Sequence, residues 1–133
     1  MTSKDYVTPT EADQILILIA DDEEPIVEML ATFVSDMGYT PLVAQNGQEA
    51  LDLARKHEPA LIITDLMMPI MNGADLILEL RAEAIAKGRD CPPIVLLTAG
   101  SRRAASQLPV EALLFKPFDL SQLERVVRRF LEA

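Results

Sequence analysis

Short apolar runs and helical stripes alternate five times along this chain, and that alternation limits its folds more than any other property. Residues 15–20 are apolar without a break. Such a run suits a strand covered on both faces, because a strand with one wet face would alternate. A helical stripe follows, formed by Ile26, Met29, Leu30, Phe33, Val34 and Met37, with Pro25 in its first turn and Gly38 as its stop. Residues 40–44 read as a second strand. Asn46-Gly47 then turns the chain into a helix over 48–57, closed by Pro59. A third strand is expected over 60–65 and a third helix over 75–87, stopped by Gly88. A fourth strand covers 93–98 and a short fifth 113–115. The last helix covers 120–131, with Asp119 and Gln122 spaced as a capping box. Five strands alternating with helices predict a parallel sheet wrapped on both faces, an α/β architecture.

Composition narrows the functional classes. A chain of 133 residues, half of them hydrophobic, is one domain with a real core. A net charge of −9 lacks the basic stripe of a nucleic-acid binder and fits cation binding. A single cysteine, Cys91, allows no internal disulfide, so a reducing, cytoplasmic setting is expected. No apolar run approaches the roughly 20 residues that span a bilayer, so no membrane partner is expected. Residues 1–13 are polar, without the apolar stretch of a signal peptide, and read as a flexible extension before a domain over 14–133. With no segment after the fifth helix, the expectation is a stand-alone domain that acts by protein contact.

In a doubly wound sheet, function sits at the carboxyl ends of the strands, at the switch in strand order. Polar residues gather at those ends here. The first strand delivers Asp21 and Asp22, the third Asp65, the fourth Thr98 and the fifth Lys116. Carboxylates about 4 Å apart repel by roughly 4 kcal/mol per pair at an effective dielectric near 20. Three together call for a cation or a bound proton. Mg²⁺ suits such a site, since it takes oxygen ligands, keeps waters and bridges to phosphate. Taken singly, each residue has an ordinary reading. Asp21 and Asp22 suit a helix N-cap, Thr98 a strand-end hydroxyl and Lys116 a solvated surface.

Taken together, Asp21-Asp22, the stretch Asp65-Leu66-Met67-Met68-Pro69-Ile70-Met71-Asn72-Gly73, Thr98-Ala99 and Lys116-Pro117-Phe118 resemble the receiver domain of two-component response regulators. The resemblance covers nearly everything after the first 13 residues. It implies a flavodoxin-like (βα)5 three-layer sandwich with sheet order 2-1-3-4-5. It also implies that Asp65 accepts a phosphoryl group from a histidine kinase or a histidine phosphotransfer protein. Asp22 and Asp65 would ligate Mg²⁺, or Mn²⁺ in its place, with Asp21 acting mainly through water and the backbone carbonyl of Met67 as a further ligand. Lys116 and Thr98 would meet the phosphoryl oxygens, and the Lys116–Pro117 bond would be cis. Such a protein is no conventional enzyme, yet it catalyses its own phosphoryl transfer and a slow autodephosphorylation. Met67 and Gly100 flank the acceptor by the same resemblance, and neither side chain can position a water, so a long-lived phosphoryl state is expected.

Two departures from the family pattern stand out. The switch position that often carries an aromatic ring holds Leu113. The connection from Thr98 to Lys116 is a few residues shorter than usual, so a shortened or irregular fourth helix is expected, ended by Pro109. The C-terminal region is locally basic, with Arg102, Arg103, Arg125, Arg128 and Arg129. This 100–133 face reads as a solvated surface with pairs such as Glu124 and Arg128, or as a docking face for an unknown downstream protein. Three rival classes would place other demands on these residues. A haloacid-dehalogenase-type hydrolase needs a second aspartate two residues after the first, where this chain has Met67 or Glu23. A dinucleotide enzyme needs G-x-G-x-x-G after a strand, and none occurs. A receiver-like binding module acting without phosphorylation is the remaining alternative.

Overall fold

The computed structural model describes residues 14–132, so the extension proposed for residues 1–13 lies outside the described residues. Five strands form one parallel sheet: β1 (Leu16–Ala20), β2 (Thr40–Ala44), β3 (Leu61–Asp65), β4 (Ile94–Thr98) and β5 (Ala112–Phe115). Their order is β2-β1-β3-β4-β5. The intervening helices are α1 (Glu24–Asp36), α2 (Gly47–His57), α3 (Gly73–Lys87), α4 (Arg102–Ser106) and α5 (Leu120–Leu131). This is the flavodoxin-like sandwich that the motifs implied. No helix among the described residues is long and apolar enough to cross a membrane.

Side-chain alternation divides the apolar strands between two cores. Ile17 and Ile19 of β1, Leu61 and Ile63 of β3, and Val95 and Leu97 of β4 face α1 and α5, where Leu30, Val34, Leu123 and Val127 meet them. Leu18, Ile62, Ile94 and Leu96 face the other way, onto Ala50 and Leu51 of α2, Leu76 and Ile77 of α3, and Ala105 of α4. The strands β1, β3 and β4 are buried at every position, which explains their unbroken apolar sequence. Each fully buried Leu or Ile contributes about 1.5–3 kcal/mol of transfer free energy, so the three central strands anchor the fold.

Local chemistry fixes the helix ends. Asn46 and Asn72 cap α2 and α3, each Oδ1 accepting a backbone N–H three residues on at 2.8 Å. The Asn72 cap lets α3 begin at Gly73, two residues before the start expected from its polar first turn. Gln122 Oε1 accepts the Asp119 N–H at 2.9 Å at the head of α5.

The fourth helix has only five residues, as the short connection implied. Other contacts make up for its missing length. Arg102 lies over the Phe115 ring, 4.3 Å from its centre. Arg81 of α3 donates to the Pro109 carbonyl at 2.8 Å and to Glu111 at 2.7 Å, and Glu111 also accepts the Ile94 N–H at 2.7 Å. Leu108 and Val110 pack onto the second core.

Candidate phosphoacceptor and metal site

The switch in strand order falls between β1 and β3, because the chain steps outward to β2 and then returns past β1. Asp21 directly follows β1, and Asp65 is the last residue of β3. Asp21, Asp22 and Asp65 converge there, with one oxygen of each within 4.8 Å of the others. Asp21 is fully buried and Asp65 nearly so, whereas Asp22 is exposed. An all-oxygen donor set of this kind, open on one side, fits a hard divalent cation.

Lys116 follows β5 and reaches across two strands into this pocket. Its Nζ stands 3.1 Å from Asp21 Oδ2, 3.2 Å from Asp65 Oδ1 and 3.7 Å from Glu23 Oε2. Its peptide bond to Pro117 is cis. Asp21 is further held by the Glu23 N–H, which donates to Oδ1 at 2.9 Å.

The charges are unbalanced. Burial pushes the Asp65 carboxyl above the usual carboxylate range, and the Asp21 carboxylate pushes it further; Lys116 opposes both without prevailing. Burial works against the Lys116 charge as well. There the hydrogen bond and charge of Asp21, joined by Asp65, prevail and hold its pKa above the ordinary lysine value. Among the described residues the carboxylates of this pocket outnumber its cations, with Lys116 facing Asp21, Asp65 and Glu23.

The loop after Asp65 is set by backbone contacts. A Cβ at Gly73 would run into the Asp65 carbonyl and Leu66 Cα, so only glycine lets α3 start this close to β3. The Gly73 N–H donates to the Leu66 carbonyl at 2.8 Å. Within the loop, the Met71 N–H donates to the Pro69 carbonyl at 2.7 Å across Ile70, whose φ is 70. That is a γ-turn with a positive central φ, a strained geometry for a β-branched residue. Ile70 is 84% exposed.

Other residues singled out in the sequence take clear positions. Thr98 is buried at the end of β4, where its Oγ1 accepts the Gly100 N–H at 2.9 Å. The Met67 side chain is exposed, as is Gly100. Leu113 is half-buried and packs against the second core, where a ring would otherwise stand. Arg128 pairs with Glu124 at 3.1 Å and Glu132 at 2.8 Å, and Arg129 lies over Phe130. Sequence reasoning gave Glu23 no place in the site. The signal was present in the unbroken acidic run from Asp21 to Glu24. Neither the anchoring of the α4–β5 connection by Arg81 nor the tie from Glu111 to β4 had any local sequence signature.

Comparison with known proteins identifies relatives of this chain. The family model of the response regulator receiver domain matches residues 17–128. The chain is 38% identical over 125 residues to the response regulator Rre1 of a Synechocystis strain, covering 90% of this chain and 53% of that protein. It thus spans about half the length of that relative. Its structure is similar to the chemotaxis protein CheY4 of Vibrio cholerae, with a TM-score of 0.77 and 29% identity, covering 89% of this chain and 99% of that one. It is also similar to a chain of the Saccharomyces cerevisiae complex between the histidine phosphotransfer protein Ypd1 and the receiver domain of the response regulator Ssk1. That match has a TM-score of 0.81 and 25% identity and covers 88% of each chain.

Proposed function

The chain belongs to the response regulator receiver domain family, and we propose that within it Asp65 is the phosphoacceptor of a phosphorelay switch formed by residues 14–133. The observation that carries this reading is the pocket itself. A nearly buried Asp65 stands 3.2 Å from a protonated lysine and beside two further aspartates. Asp21, Asp22 and Asp65 would hold Mg²⁺, or Mn²⁺ in its place, with the Met67 carbonyl as a further ligand. When bound, the ion neutralises charge on the transferring phosphoryl group.

The chain's own residues do the remainder. Asp65 Oδ attacks phosphorus, the donor's P–N bond breaks, and the electron pair stays on the imidazole nitrogen. Lys116 exchanges part of its contact with Asp21 and Asp65 for the phosphoryl oxygens, where charge is concentrated. Thr98 turns its hydroxyl toward the same group. Leu113 repacks in place of a ring. The added charge shifts the 100–133 face between two arrangements that a downstream protein tells apart.

The donor is a histidine kinase or a histidine phosphotransfer protein, the class to which Ypd1 belongs. We place the reaction in the cytoplasm. With Met67 and Gly100 flanking Asp65, no side chain at those positions orients a hydrolytic water, so autodephosphorylation is slow.

Incubation with acetyl phosphate and Mg²⁺ tests the assignment. Intact mass of the wild type gains about 80 Da, the mass of a phosphoryl group, and Asp65→Asn gains nothing. An unmodified wild type, folded and supplied with Mg²⁺, would leave the phosphate-independent binding module as the better reading.

A further inference from the structure

Among the described residues, Glu23 is the one acidic residue in contact with Lys116 that the family motif leaves unassigned. Its backbone is fully used: the N–H donates to Asp21 Oδ1, and the carbonyl accepts the N–H groups of Ile26 and Val27. Its side chain makes no cap for α1, although it stands at the N-cap position. The carboxylate instead leans toward Lys116, 3.7 Å from Nζ, on the solvent side of the pocket, with the side chain 61% exposed. One lysine thus answers three carboxylates, two below it and one at the rim.

We propose that Glu23 is a specificity-determining residue that discriminates among phosphodonors by charge. The inference rests on the reading of Asp65 as the phosphoacceptor. A donor must bring its phosphoryl group past the rim carboxylate and compete with it for Lys116. Acetyl phosphate arrives as a dianion and leaves as acetate: the P–O bond breaks, the Asp65–P bond forms, and acetate carries the electron pair away as a second anion. Both passages are opposed by Glu23. A donor with a protonated nitrogen group carries less net charge, because the cationic nitrogen offsets part of the phosphoryl charge. Its P–N bond breaks with the pair retained on that nitrogen, and a proton already on the leaving group (on the ammonium nitrogen of phosphoramidate, on the other ring nitrogen of phosphohistidine) makes it depart neutral. Glu23 therefore penalises small acyl phosphates more than nitrogen-bound phosphoryl groups such as phosphohistidine. This protects the switch from metabolic phosphodonors while leaving it open to a protein donor.

The experiment compares wild type, Glu23→Gln and Glu23→Asp with two donors, acetyl phosphate and phosphoramidate, at saturating Mg²⁺ over a range of ionic strengths. Glu23→Gln keeps every backbone bond and is isosteric. At low salt it should react roughly threefold to tenfold faster with acetyl phosphate, an advantage that shrinks toward unity as the Debye length falls to about 4 Å near 0.5 M salt. With phosphoramidate the advantage is smaller, and Glu23→Asp stays near wild type. The Mg²⁺ midpoint, read from the metal-dependent thermal shift, changes by less than about threefold, which separates a charge effect on the donor from altered metal loading. The proposal is overturned by equal rates at low salt. It is equally overturned by a rate gain indifferent to salt and donor charge, or by one that follows the Mg²⁺ midpoint. A wild type that takes no phosphate from either donor overturns the phosphoacceptor reading itself, a different result from phosphorylation that ignores Glu23.

Discussion

The two ends of the sheet both carry charged networks, and they are built on opposite plans. At the amino ends of the strands several cations meet anions near solvent. Arg55 grips Glu83 through two nitrogens at 2.9 and 3.0 Å, Arg89 meets Glu58 at 2.7 Å, and Arg81 meets Glu111 at 2.7 Å. At the carboxyl ends, carboxylates crowd one lysine and the central ones are buried. The contrast separates charges that hold a fold from charges held by it. The lower pairs are balanced and individually weak. The upper cluster is a standing electrostatic debt, tolerated because the three central strands are so fully buried.

The difference has a pH signature of opposite sign at the two ends. Asp65 is raised in the folded state, so the folded chain holds its proton more tightly than the unfolded one. Its contribution is most favourable below the ordinary carboxylate value and is lost as pH rises through the raised folded value. Glu83 is lowered, first by its hydrogen bond to Arg55. Its contribution is present above the ordinary value and is lost as pH falls through the lowered one.

The sharpest way to break this contrast is to supply the missing positive charge. Mg²⁺ at a hundredfold excess over its Kd should raise unfolding free energy by about 2.7 kcal/mol in the wild type, and most of that gain should vanish in Asp65→Asn. Denaturant unfolding with and without EDTA measures it, and an equal gain in both proteins would place the ion elsewhere. Next in size is Asp65→Asn in EDTA. Removing one crowded carboxylate should stabilise the fold by about 1–2 kcal/mol, with a thermal midpoint several degrees higher, and should erase the upper end's falling pH slope. A destabilised, folded variant would mean that Lys116 already balances the pocket. Smallest are changes below the sheet. Glu111→Ala loses the Arg81 pair and the Ile94 N–H bond, for a loss of about 1 kcal/mol by urea unfolding. Glu83→Gln should barely move the midpoint. Neither should alter the phosphorylation rate, and a slowed rate in either would show that the ends are coupled.

Much of this was legible in the sequence because it is local. An unbroken apolar run such as residues 15–20 announces a strand buried on both faces, and a carboxylate at its end announces the rim of the sheet. The short fourth helix could be read from the spacing of Thr98 and Lys116. What escaped is what depends on distant residues. Glu23 looked like one acid in a run, and only the arrival of Lys116, from a strand three places away in the sheet, gives its carboxylate a partner. Arg81 likewise reads as a helix-surface arginine until the connection before β5 folds beneath it.

The turn at Ile70 carries a last consequence. Its torsion is unfavourable to the residue that adopts it, and the side chain meets water rather than core, so nothing at position 70 itself rewards the bend. The bend is imposed from outside, by the Met71 carbonyl that accepts the Gly47 N–H at 2.8 Å and by the glycine start of α3. A spring of this kind, wound between β3 and α3, can release without dismantling either core. Replacing Ile70 by glycine would unwind it, leaving the acids in register and the loop beside them slack.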